Sequence, residues 1–350
     1  MYEHSFDALN DEGEFVRGFG AMDRRGFIRF SAVAGGAVVL GGAAAGCAQS
    51  GAAGGGKAGY SGDVAVTGLE SLVHSAPFFI AQSEGYYEAE GLTLEHIKFP
   101  GGLDTVRGID SGIGFGTSAT IPTFIGAEKG MDLRIIGNVV TAASVDFVAL
   151  SKSGINSIED VRGKKVAVST PGSNSTYFAE RTLKEAGLEP GKDVELISVG
   201  SASDSWTAVS KGVVDVAWTS SPLSEKITDE GGAKVVWRSR DYVTDWSDTC
   251  LVATGEFVEQ HGEALKGWVR ALGKGMDLIR NDVEKAAEVY AKAIESKPEI
   301  ALMALKNSQD IFSLDFTDAQ LKAVVDAGKA QGQLTRDPDM DAIVLRDFVS

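Results

Sequence analysis

Two rhythms of apolar positions alternate along most of the chain. From Asp63 onward, short β-branched and aliphatic runs are separated by stretches whose apolar residues recur every three or four positions. The first rhythm suits buried strands, and the second suits helices packed on them. Strands are predicted at Val64–Thr67, Leu92–Ile97, Leu133–Val140, Phe147–Ser151, Lys165–Ser169, Val194–Val199, Val214–Trp218 and Lys234–Trp237. Thr249–Thr254, which holds Cys250, also reads as a buried strand. Helices are predicted at Pro77–Ser83, Thr105–Asp110, Ile121–Glu128, Thr176–Ala186 and Trp206–Ser210. Such alternation predicts an α/β fold with mostly parallel sheets. The last hundred residues change character: Glu263–Asn281, Val283–Glu295, Glu299–Leu305 and Asp318–Gln331 read as helices. No internal repeat is evident. Ser157 and Asp160 have the spacing of a capping box, so a new unit is expected to open there.

The first sixty residues follow neither rhythm. Asp23-Arg24-Arg25-Gly26-Phe27-Ile28-Arg29 resembles a twin-arginine export motif, with Asp23 where Ser or Thr is usual. Phe30 to Gly46 is uncharged, weakly apolar and rich in Ala and Gly, which suits the hydrophobic region of a signal peptide. Ala44-Ala45-Gly46-Cys47 resembles a lipobox, with Ala44 where Leu is usual. Residues 1–46 are therefore expected to be a removable lipoprotein signal, with Cys47 carrying the lipid. A compact basic start opens at Met22, so translation is expected to begin there. Residues 47–62 are expected to form a flexible Gly/Ala tether.

Composition narrows the class. Of 350 residues, 43% are apolar and 23% charged, as in ordinary globular chains. The net charge of −16 repels phosphate backbones and argues against a nucleic-acid partner. With Cys47 lipidated, Cys250 has no disulfide partner and reads as a small core residue.

Three segments carry a family likeness: Glu84-Gly85-Tyr86-Tyr87-Glu88-Ala89-Glu90-Gly91-Leu92-Thr93-Leu94, Ser157 to Val168, and Lys211 to Trp218. In order and spacing they resemble nitrate/sulfonate/taurine-type substrate-binding proteins, which share a fold with thiamine-pyrimidine synthases. The likeness covers roughly residues 62 to 330. It implies a two-lobed periplasmic-binding-protein type II fold with a helical C-terminal part. Residues 63–150 would form the first part of lobe one, 151–240 lobe two, and 241–350 the return to lobe one with the C-terminal helices. It also implies a monomer without cofactor or metal, working outside the cytoplasm. Such a protein delivers a small sulfonate, taurine-like or heterocyclic ligand to an ABC permease and its ATPase. An exported enzyme or a ligand sensor on the same scaffold is the alternative. One departure is Gly114, where the family often has Asp.

Ligands of parallel α/β lobes sit at the carboxyl ends of strands, and this rule selects five loops. The loop Leu69–Pro77 offers His74 and Ser75. Gly116–Thr120 offers Ser118, unless its hydroxyls only cap a helix. Thr170–Thr176 is the strongest candidate. Its Ser173, Asn174, Ser175 and Thr176 stand where a helix N-terminus presents free N–H groups, although ordinary capping would use the same residues. Trp218–Pro222 offers Trp218 as a stacking surface and Ser221. Tyr242–Asp248 offers Trp246; its Asp245 and Asp248, like Asp146 near the other crossing between lobes, are carboxylates that would hold a ligand amine, although such acids are more often solvated surface residues. No lysine or arginine falls in the first four loops, so a highly charged anion is not the expected ligand.

Signatures of enzymes are missing. There is no Gly-x-Ser-x-Gly and no His-Glu-x-x-His; Gly51 to Lys57 has the Gly-x-x-x-x-Gly-Lys spacing but is followed by Ala58 and not by the Ser or Thr of a phosphate-binding loop, and the cysteine-rich segment of the pyrimidine synthases is also missing. His4, His74, His96 and His261 lack metal-site spacing. One prediction follows from Cys47. Cys47→Ala is expected to move the protein from the membrane to the soluble fraction, read by fractionation and immunoblotting; unchanged membrane association would defeat the lipid anchor.

Overall fold

The computed structural model describes residues 59–99, 101–170 and 173–349. Arg24, Arg25, Cys47 and the loop residues Pro171 and Gly172 lie outside the described residues. The strands are β1 (Tyr60–Thr67), β2 (Leu92–Phe99), β3 (Phe115–Ala119), β4 (Leu133–Val140), β5 (Asp146–Leu150), β6 (Lys165–Val168), β7 (Glu195–Ser198), β8 (Val216–Thr219), β9 (Ala233–Arg238) and β10 (Thr249–Thr254). The helices are α1 (Ala76–Ser83), α2 (Tyr86–Ala89), α3 (Gly102–Gly108), α4 (Thr120–Glu128), α5 (Asn174–Glu185), α6 (Ala202–Ser210), α7 (Leu223–Asp229), α8 (Gly255–Asn281), α9 (Val283–Ala293), α10 (Pro298–Ser308), α11 (Asp318–Ala330) and α12 (Met340–Ile343).

Two five-stranded sheets have the orders β2-β1-β3-β10-β4 and β7-β6-β8-β5-β9. Counted within each lobe, both read second, first, third, visitor, fourth. The fold thus contains a topological repeat that the sequence does not show, because a strand needs only the right apolar period and not a particular residue at each place. The visitor is the strand reached by crossing from the other lobe. β5 begins at Asp146, after residues 141–145 leave β4, and β10 begins at Thr249, after residues 239–248 leave β9.

The expected mostly parallel sheets need a correction. β10 runs antiparallel to β3 and β4, and β5 antiparallel to β8 and β9. The reason is geometric. The incoming chain arrives where its new neighbours end, with Asp146 opposite Thr219 and Arg238, so it can only run back down the sheet. Three further expectations change. Strand β5, expected to close the first part of lobe one, belongs to the second sheet. The tether, expected to reach Gly62, gives way to β1 at Tyr60, whose ring packs edge-on against Phe115 and Phe257. The Gly116–Thr120 loop is instead strand β3 leading directly into α4.

Local chemistry explains several elements. Ser157 and Asp160 form the expected capping box on a single helical turn, Ile158–Val161. Helix α8 starts at Thr254, whose hydroxyl accepts from the Phe257 N–H at 3.1 Å. Its buried stripe, Leu265, Trp268, Leu272, Met276 and Ile279, has helical spacing and covers the first sheet beside α1. Gly114 sits at φ +86°, and a Cβ there would stand 2.3 Å from the Phe257 ring. Both facts make any side chain unfavourable there, aspartate included.

Gly116 shows how closely β1 and β3 approach. A Cβ on it would lie 2.2 Å from the Ala65 carbonyl oxygen, a backbone atom that cannot turn aside. Gly116→Ala is therefore expected to cost about 1–3 kcal/mol of stability. A lower urea midpoint with unchanged slope would register it, and an unchanged midpoint would contradict the reading.

Candidate functional site

The ends of β1, β3, β6 and β8 and the starts of α5 and β10 converge on a cavity of about 240 Å³ between the lobes. His74 enters from the short turn Val73–Ser75 that links β1 to α1. Its Nε2 lies 2.7 Å from the Thr67 carbonyl oxygen, which can only accept, so Nε2 carries the proton. Nδ1 faces the Thr249 hydroxyl at 3.4 Å. Burial pulls the imidazole below its usual range, so the ring is neutral at pH 7.

Asp248 is the carboxylate of the chamber. Oδ1 accepts from Asn174 Nδ2 at 3.1 Å and Trp246 Nε1 at 3.2 Å. Oδ2 accepts from the Ser144 hydroxyl at 2.7 Å. Burial raises its pKa, and these donors oppose the rise. Ser144 lies on the outgoing crossing, Asp248 on the return and Asn174 at the start of α5, so one side chain joins three segments. Among the described residues, no lysine or arginine lines this cavity.

Of the residues predicted from sequence, His74, Ser173, Asn174, Ser175, Trp218 and Ser221 line the cavity. The hydroxyls on the α5 loop are partly committed. Ser173 accepts from the Thr176 N–H, and Ser175 accepts from the Ser169 N–H at 2.9 Å. Thr176 donates to the Thr170 carbonyl and does not line the cavity. Ser75 donates to the Leu72 carbonyl at 2.8 Å, and Ser118 to the Gly102 carbonyl at 3.1 Å, both away from the cavity. Trp246 is buried, stacked on Tyr177 at 5.0 Å, and stands behind Asp248 as its donor. The sequence favours Trp246 for the site; the structure puts Asp248 there. Only the position of Asp248 just before strand β10 hinted at this. Ser144 and Thr249 are further lining residues that strand-end reasoning did not select, and Ser220 lines the cavity from the selected Trp218–Pro222 loop.

Asp146 faces a different space. It lines a cavity of about 20 Å³ beneath the chamber, with Ser144, Ser221, Arg240 and Asn307. Arg238 Nε is 3.6 Å away. Burial, then the charge of Glu225, push Asp146 up to about 6, while Arg238 opposes. Glu225 is itself buried and accepts from Ser221 Oγ at 2.8 Å, Ser224 Oγ at 3.0 Å and Asn307 Nδ2 at 3.0 Å.

An acid whose value is raised on folding holds its proton more tightly in the folded state. Its stabilising contribution is present at low pH and is lost as pH climbs through the window from about 4 to about 6. Asp146→Asn, neutral throughout, escapes that loss. It is expected to be more stable than the parent by up to about 3 kcal/mol at pH 7.5, with the gap closing toward pH 4. His74 and His96 also titrate low but are present in both proteins and cancel in the difference. Melting curves across pH 4–8 test this, and a gap that does not depend on pH would refute it.

Known proteins agree with this architecture. The aliphatic sulphonate binding protein SsuA of Escherichia coli superposes with a TM-score of 0.70 at 19% identity, over 82% of this chain and 92% of that one. The nitrate-binding protein NrtA of Synechocystis superposes at 0.66 and 16% identity, over 82% and 86%. Both likenesses establish the periplasmic-binding-protein fold. By sequence, a 4-amino-5-hydroxymethyl-2-methylpyrimidine phosphate synthase of Legionella pneumophila is 24% identical over 234 residues, 65% of this chain and 71% of the relative. The riboflavin-binding protein RibY of Chloroflexus aurantiacus is 22% identical over 270 residues, 75% and 74%. A family model described as NMT1/THI5 like matches residues 73–286, which run from the turn bearing His74, through the whole second sheet, into α9. More than half of the chain, with nearly all of the cleft, is thus covered, and the chain belongs to the NMT1/THI5-like family.

Proposed function

We propose that this protein is the extracytoplasmic solute-binding component of an ABC importer. It captures a small planar heterocycle between its lobes and hands it to a permease. Cys47 would tether it to the membrane through a lipid after export by the twin-arginine signal. Lobe one would comprise β1–β4, β10 and the C-terminal helices; lobe two would comprise β5–β9.

The chamber's charge carries this reading. Asp248 is 93% buried and faces the cavity, and no cation lines that cavity among the described residues. A sulfonate or nitrate placed there would meet a carboxylate and lose its hydration without a cationic partner. A neutral or cationic ligand that donates hydrogen bonds gains from the same carboxylate. The names of the sequence relatives, a pyrimidine phosphate synthase and a riboflavin-binding protein, point to heterocycles of this kind.

The synthase names also raise an enzymatic reading. The site residues favour binding. Both ring nitrogens of His74 are engaged, and Cys250 is fully buried with its thiol pushed up to about 11. Neither is poised as a base or nucleophile.

Thermal-shift and calorimetric titrations with 4-amino-5-hydroxymethyl-2-methylpyrimidine, riboflavin and taurine test the proposal. A heterocycle is expected to stabilise the fold by about 2.7 kcal/mol at a hundredfold excess over Kd and to be recovered unchanged. Taurine is expected to give no shift. Asp248→Ala is expected to weaken heterocycle binding by about ten- to a hundredfold. Recovery of a chemically altered heterocycle would defeat the binding reading in favour of the enzyme.

A further inference from the structure

The chamber continues beyond its own walls. Leu72, Ser169, Trp218 and Ser220 line it on one side and a larger cavity of about 720 Å³ on the other. These four residues form a neck between two spaces. The outer cavity is walled by both lobes: Glu70 and Lys297 from the first, Ser203 and Lys226 from the second. Small-molecule sites usually measure roughly 300–1,000 Å³, and the inner chamber alone falls short of that range. A ligand of ordinary size must pass the neck.

The neck is chemically prepared for this. Ser220 is 8% exposed, faces both spaces, and its hydroxyl makes no hydrogen bond with another described residue. That oxygen is open to the neck and free to bond a group lying there. The Ser169 hydroxyl, also at the neck, is equally uncommitted. Trp218 Nε1 is fully buried, so the part of the indole offered to the cleft is its carbon face. Such a face stacks on a planar ring. The outer cavity carries Glu70, Asp229, Glu230 and Glu295 against Lys226 and Lys297. Glu70 is paired with Lys98, yet acids still outnumber bases, which disfavours a phosphate or carboxylate.

We infer that the ligand straddles the neck, with a planar, donor-bearing ring in the inner chamber and an uncharged, hydroxylated tail in the outer cavity. Trp218 stacks on the ring near its junction with the tail. Ser169 and Ser220 bond the first hydroxyls of the tail. This inference rests on the solute-binding reading above and specifies its ligand in two parts.

Isothermal titration with three probes of one ring type tests it: lumiflavin, which carries a methyl group in place of the tail; riboflavin, which has a hydroxylated tail; and flavin mononucleotide, whose tail ends in phosphate. Riboflavin is expected to bind about tenfold tighter than lumiflavin or better, the worth of one or two good hydrogen bonds. Flavin mononucleotide is expected to bind more weakly than riboflavin. Ser203→Trp, which narrows the outer cavity away from the neck, is expected to bring riboflavin and lumiflavin to within about twofold of each other. Equal binding of riboflavin and lumiflavin by the parent protein would overturn the two-part ligand, as would tighter binding of the phosphorylated tail. So would failure of every flavin to bind. In each of these cases a small molecule retained by the purified protein in native mass spectrometry would leave solute capture standing. Chemical alteration of riboflavin would remove the underlying binding reading instead.

Discussion

The carboxylate of Asp248 lies where the two crossings between lobes meet the start of helix α5. Its three donors, Ser144, Asn174 and Trp246, come from three different stretches of chain. A buried carboxylate without donors would be driven to protonate or would disrupt its surroundings. With these donors it is held ionisable and correctly aimed, and in return it fixes the geometry of both crossings. Leaving any one of those donors unpaired, or the carboxylate short of one, costs about 1–3 kcal/mol. The electrostatics of the chamber and the path of the hinge are therefore consequences of one side chain.

Around that point the lobes touch directly. Val73 N–H, from lobe one, donates to the Ser221 carbonyl of lobe two at 3.0 Å. Asn307, on α10, donates to Glu225 on α7, and Arg240 donates to the Asn307 carbonyl. Ser221 belongs to both systems, since its side chain faces the chamber and also donates to Glu225. Hinge opening, the usual motion of such folds, would have to break these bonds together. The wall of the chamber and the seam between the lobes are mechanically one piece.

Much of this could be read from the sequence. Period alone located β4 to the residue and most helices to within a few, because those segments are long and strongly patterned. β3 was hidden because Gly116, Thr117 and Ser118 look like turn residues. The glycine is there for close contact with Ala65, and the hydroxyls are buried in a sheet. The lobe to which β5 belongs was also hidden, since pairing partners depend on where the chain crosses and not on local composition. Among the residues that line the cavity, strand-end logic selected His74, Asn174 and Trp218. It could not separate Asp248 from neighbouring acids, or tell that Ser75 and Ser118 spend their hydroxyls on nearby carbonyls. Those distinctions are made by tertiary distance, which spacing along the chain does not encode.

The exchange of visitor strands has a consequence for the order of folding. The first sheet has β10 between β3 and β4, so those two strands have no direct neighbour in each other. A ribosome must release the whole second lobe before residues 249–254 can fill that gap. Until then the first lobe is an open sheet with two unpaired edges, the state most prone to wrong strand pairing. Nascent chains of this design cannot mature lobe by lobe from the N-terminus, as multidomain proteins commonly do. The first lobe is the earlier one to be synthesised and the later one to be completed.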